Sequence, residues 1–223
     1  MMSFRWTLVL VGTLIATAAW GWSPSDYLDT TAKTFFERPD VNKPIDFQHP
    51  DQGLLTAAVF YETNLRREQE GVPDLIHSAK LDQVAWAHAY DMVRYTYFSH
   101  TSPIAGQRTI QERFASVGIQ GGVQGENIAR GFALDYQSGR AVYPPHDTGG
   151  GFRYSLQGPD LQPRTYGSLA VALLDQWMAS PDHREVLLDR NFRFVGNGIV
   201  LYPATNFYNM EYFMAVADFS SEG

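Results

Sequence analysis

The sequence predicts an α+β domain built as a three-layer α-β-α sandwich. The first half of the domain carries apolar residues at helical spacing. The end of the chain carries two strand-like runs, and the second, 210–219, is apolar almost without interruption (Tyr212, Phe213, Met214, Ala215, Val216, Ala217). A continuous apolar strand is buried on both faces, and helices that precede such strands cover it from both sides. The composition supports a packed core: 223 residues, 44% hydrophobic, 14% aromatic.

The first residues read as an export signal. Met1 to Arg5 is short and positive, and an apolar run follows from Trp6 to Ala19. Ala16-Thr17-Ala18 matches a small-residue cleavage pattern. A signal peptide is therefore expected over 1–19, with an uncleaved anchor as the alternative. The run falls short of the ~20 apolar residues that a spanning helix needs, which favours cleavage and a secreted product that is not an integral membrane protein. Residues 20–53 are polar and turn-rich, with Pro24, Pro39, Pro44 and Pro50, and read as an N-terminal extension lying on the domain or partly loose.

The domain proper is expected over 54–219. Leu54, Leu55, Ala58, Val59 and Leu65 give a helix over 54–70 that Gly71 stops. Leu81, Val84, Ala85, His88, Met92 and Tyr95 share one face of a second helix over 79–95. A further stripe of Trp86, Ala89 and Val93 predicts cover on two sides. A third helix is expected over 109–117, ended by Gly118. Residues 125–132 form a short Gly-led segment anchored by Ile128 and Phe132. Residues 133–166, rich in Gly, Pro and Tyr, read as an insertion loop that is either a surface feature or a border to the site. A helix over 168–178 follows, and Ser180-Pro181 opens another, with Ser as N-cap and Pro in the first turn. Strands are expected over 192–202 and 210–219.

Composition excludes several functions. There is no cysteine, so thiol catalysis, disulfides and cysteine-ligated zinc are ruled out. The net charge is −7 and no basic run exceeds Arg66-Arg67, which argues against nucleic acid and against docking to an anionic membrane. An exported chain without disulfides also suggests a bacterial source. Asp147-Thr148-Gly149 matches the aspartic-protease tripeptide, but one copy cannot form the paired-carboxylate site.

Three stretches carry candidate chemistry: Phe98-Ser99-His100, Gly125-Glu126-Asn127 and Ser180-Pro181-Asp182-His183. Two imidazoles and a carboxylate can hold Zn²⁺ or another divalent cation with an open position. They can equally hold a water or orient a polar ligand. A His in the first turn of a helix is disfavoured in its protonated form, which suits a ligand or base. Each residue also has a plainer role: His100 and His183 as capping groups, and Glu126 as acceptor for backbone N–H groups. His88 reads as a hydrogen-bonded core histidine and Trp177 as core. Gly196 and Gly198 permit close packing or a bulge.

In order along the chain these motifs resemble the CAP superfamily of cysteine-rich secretory proteins, antigen 5 and plant pathogenesis-related proteins. The bacterial secreted form, with its SCP domain, is the nearest. Asn64, Arg67 and Gly71 resemble the opening helix of that family, and His88, Ala89 and Met92 its second. Phe98-Ser99-His100 and Gly125-Glu126-Asn127 resemble the first two signatures. Trp177 with Ser180-Pro181-x-His183-Arg184, then Phe194-x-Gly196-x-Gly198, resembles the third. The resemblance implies an α-β-α sandwich over about 54–219 and a cleft of two His and two acids. His100, Glu126 and His183 match three of the four. No carboxylate follows Trp177 where the second acid is expected, and Asp182 and Glu185 are out of register. The expected function is a secreted binding module whose cleft holds a divalent metal or a small ligand, with lipid implied by sterol-binding relatives. The alternatives are an extracellular hydrolase using His100, Glu126 and His183 as catalytic groups, and a surface interaction protein with a vestigial cleft.

Overall fold

The computed structural model describes residues 22–223 apart from Pro24. The expected leader at 1–19 lies outside the described residues. Eight helices are described: α1 Asp26–Asp29, α2 Ala32–Phe36, α3 Gln52–Gln69, α4 Ala79–Arg94, α5 Ile110–Ala115, α6 Pro145–Thr148, α7 Tyr166–Ala179 and α8 Pro181–Leu188. Four strands, β1 Ile76–His77, β2 Gln124–Phe132, β3 Phe194–Ala204 and β4 Met210–Ser220, form one sheet in the order β1-β3-β4-β2. Helices cover both of its faces, so the architecture is the expected α-β-α sandwich.

The helix starts follow local chemistry. Asp51, Ser78, Thr109 and Thr165 each accept a backbone N–H in the first turn of α3, α4, α5 and α7. The helices over 52–69 and 79–94 match their sequence expectation to within two residues. β4 pairs antiparallel with β3 on one side and β2 on the other, which explains its unbroken apolar run. Two layers of side chains flank it. Leu55, Val59, Leu169, Leu173, Trp177 and Leu187 pack with Val195, Ile199, Phe213 and Phe219 on one face. Ala85, Ala89 and Met92 of α4 pack with Ile128, Met214 and Val216 on the other. Gly196 and Gly198 serve this second face: a Cβ at either position would fall inside the backbone of α4, at Leu81–Asp82 and Ala85–Trp86.

Two readings are corrected. The stripe of Trp86, Ala89 and Val93 is only half covered: Ala89 is buried, whereas Trp86 is 42% exposed and stacks on Tyr90. The segment over 125–132 is a full strand at the sheet edge. The turn-rich stretch before α3 lies on the domain, the first of its two expected readings. Phe35, Val41 and Ile45 are buried in the main core, Trp22 meets the edges of Phe35 and Tyr61, and Ile45 N–H donates to the Arg164 carbonyl at 2.9 Å. The 133–166 loop is likewise packed, through Leu134, Tyr136 and Phe152 against Met210. Its anchors meet β2 at Phe132, about 20 Å along the strand from Glu126 at ~3.3 Å per residue.

Candidate functional site

The candidate site lies at the start of the edge strand β2, with α8 tied to one side and the segment after α4 to the other. Each residue of Gly125-Glu126-Asn127 has a separate task because successive side chains alternate across the sheet. A Cβ on Gly125 would meet the Phe192 ring and Val186. Asn127 donates from Nδ2 to the His183 carbonyl at 2.9 Å, tying the first turn of α8 to the strand. Glu126 points to the other face, under α4 and α5.

The Glu126 side chain is almost fully buried and both oxygens are taken. Oε1 accepts from His100 Nδ1 at 2.7 Å, and Oε2 accepts from Arg113 Nη2 at 2.6 Å. His88 Nε2 stands 3.7 Å from Oε2. Burial alone would raise the Glu126 carboxyl. The His100 hydrogen bond and then the Arg113 charge outweigh it and hold the group below the ordinary carboxylate range. A carboxylate that accepts from Nδ1 fixes the tautomer of His100 and turns Nε2 outward. The His100 side chain is 58% exposed.

Arg113 was not singled out from the sequence. It is buried on α5, and Nη1 donates to the carbonyls of His100 and Gln107 at 3.2 Å each. Asp218 was missed as well. It sits opposite Glu126 in the β2–β4 register, so the two side chains share a face. Asp218 is fully buried and neither oxygen has a hydrogen-bond partner among the described residues. Burial first, then the Glu126 charge, pushes its carboxyl well above the ordinary range. A signal did exist: an acid in the middle of the most apolar run of the chain needs a reason to be there.

His183 is half-buried at the start of α8. Burial, and then the His100 charge, lower its pKa. Its Nδ1 is buried without a partner, and it bonds to neither Glu126 nor His100 among the described residues. None of the plainer roles holds for the three residues: α4 ends at Tyr95 without His100, Glu126 bonds side chains, and no side chain caps α8. His88 is a core histidine, 1% exposed, with its nitrogens against Ser99 O and the Tyr97 hydroxyl. Trp177 is core, with Nε1 donating to Ile128 O.

Zinc needs donors with free lone pairs converging on one point. Among the described residues no group of three or more His, Asp or Glu could hold a metal ion. With both Glu126 oxygens engaged, the set His100, Glu126 and His183 does not fit a resident dication. Asp182 and Glu185 are exposed and do not complete it.

An α-β-α domain with a buried carboxylate and an exposed imidazole paired at its sheet edge defines a recognisable class. The family model of the cysteine-rich secretory protein family, CAP, matches residues 60–219, and the chain belongs to that family. No curated protein sequence matches it. Among solved structures it is similar to an extracellular SCP-domain protein of Bacillus anthracis, at 24% identity and TM-score 0.49, covering 77% of this chain and 41% of that one. An outer surface protein of Borrelia burgdorferi shares 16% identity at TM-score 0.49, covering 82% and 99%. The CAP domain of an enterococcal protein, PrgA, shares 14% at TM-score 0.42, covering 85% and 70%. The chain thus spans less than half of the Bacillus protein. Among the described residues no helix is long and apolar enough to cross a membrane.

Proposed function

We propose that this chain is an extracellular binding module whose cleft takes a small polar ligand through His100 and His183. The observation that carries this reading is the pairing of an exposed imidazole with a buried carboxylate. Glu126 holds Nδ1 and leaves Nε2 as an acceptor facing out, and burial keeps the His183 imidazole below its ordinary pKa. The complementary ligand offers hydroxyl or amide donors. The names of similar proteins, extracellular or of the outer surface, and the apolar run at 6–19 support export. Catalysis is less supported. The chain has no cysteine, and the carboxylate expected after Trp177 is absent.

One observation favours a second reading. An imidazole oriented by a carboxylate is also the arrangement of a general base acting through water. Two measurements separate the readings. In ¹H–¹⁵N spectra, N-acetylglucosamine or an N-acetylated dipeptide amide should shift resonances around His100 and His183, and His183→Ala should lose the response. Absence of any shift with either probe sinks the binding reading for these ligands. Casein or cell-wall turnover that Glu126→Gln abolishes would establish the hydrolase instead. Mass spectrometry of a solvent extract tests for lipid cargo.

A further inference from the structure

We infer that Arg113 is the resident cation of the cleft: its guanidinium occupies the face of Glu126 that a divalent ion would use, so the cleft operates by hydrogen bonding and not by coordination. The inference deepens the binding reading and rests on it for the ligand, but its own test needs no ligand.

Three features carry it. The first is occupancy. Arg113 Nη2 lies 2.6 Å from Oε2 while His100 takes Oε1, so an incoming ion finds neither oxygen free. The second is permanence. Arginine does not lose its proton in proteins, and this one is 2% exposed, so neither pH nor solvent removes the charge. Its second nitrogen, Nη1, clasps the His100 and Gln107 carbonyls, which closes the segment carrying His100 onto the strand carrying Glu126. The third is charge balance. One carboxylate, Glu126, faces one guanidinium at 2.6 Å, while burial pushes the Asp218 carboxyl well above its ordinary range and the His88 imidazole down to about 4. Adding a dication would place two further positive charges against a buried guanidinium with no carboxylate left to compensate. Arg113 is therefore a positioning residue for His100 as well as a substitute for the ion.

Zinc titration by calorimetry on the full chain tests this. Wild type should take up no stoichiometric Zn²⁺ that His100→Ala removes. Arg113→Gln, which keeps hydrogen-bonding groups and drops the charge, should free Oε2 and gain one site at least tenfold tighter, lost again in Arg113→Gln with His100→Ala. A merely structural role would not create a metal site. Arg113→Lys, checked for fold by circular dichroism, should remain as blind to zinc as wild type. A wild-type site that depends on His100 overturns the inference, and so does a folded Arg113→Gln that gains none. If Arg113→Gln does not fold, zinc-induced shifts of the His100 ring in wild type decide: none supports the inference, and a saturable shift overturns it.

Discussion

On one face of β4, Phe213, Ala215, Ala217 and Phe219 lie among the side chains of α3, α7 and the segment before α3. On the other, Met214 and Val216 give way to Asp218, and beyond it to Glu126, Arg113 and His88. The first face is ordinary apolar packing. The second removes four ionisable groups from water within one short stretch of sheet. Groups so buried are held by one another, so the stability of that face depends on protonation, whereas the stability of the first depends on volume.

The largest effect should come where backbone meets backbone. Gly198→Ala drives a methyl into Ala85–Trp86 of α4, and a loss of more than about 3 kcal/mol, or no cooperative melt at all, is expected. A wild-type melt would mean that α4 is not seated on β3. On the apolar face, Trp177→Ala should cost about 3–5 kcal/mol in urea, with no change in pH dependence. The buried-charge face should respond to acid instead. Burial lowers the His88 pKa from 6.5 to about 4, so the unfolded state binds the proton first as pH falls. Its contribution is complete above pH 6.5 and is lost on descent to pH 4, a change of about 3 kcal/mol. The difference between wild type and His88→Gln across that window isolates it; a constant difference would show that His88 does not titrate there.

Asp218 has the opposite sign. Its folded-state pKa is raised, so its stability is complete at acid pH and is lost as pH rises through that value. Asp218→Asn mimics the neutral acid. It should stay within about 1 kcal/mol of wild type in acid and remove the loss as pH rises, becoming the more stable of the two. A variant that loses as much stability as wild type over that rise would show that Asp218 does not carry it. The smallest change is expected for His183→Ala, within about 0.5 kcal/mol in stability, because its ring is half-exposed and its Nδ1 has no partner. The same variant should abolish ligand-induced shifts, which sharpens the division between what supports the fold and what serves the cleft.

The sequence was informative where periodicity or a motif repeated a physical rule. Apolar spacing placed α3, α4 and α7, and the continuous run of β4 announced a strand buried on both sides. His100, Glu126 and His183 were legible only as ordered motifs; separations of 26 and 57 residues carry no geometry of their own. Arg113 and Asp218 escaped because each sits in an element recognised for its apolar residues, where one charge reads as a surface position. The two-residue strand β1 escaped because it has no period. The segment before α3 left two readings open because its prolines mark turns, while Phe35, Val41 and Ile45 are too widely spaced to register as a face.

The sheet order also governs when this molecule can fold. β4 is the last strand in sequence, yet it joins β2 to β3. Until it is synthesised the edge strand has no neighbour, and Glu126 has no partner strand beneath it. The residues before α3 wait in the same way for Arg164 and Gly167, which bond Ile45 and Val41. A chain that has reached only β3 therefore holds β2 without a partner strand. Loops this long must close before β2 gains a strand contact, which slows folding.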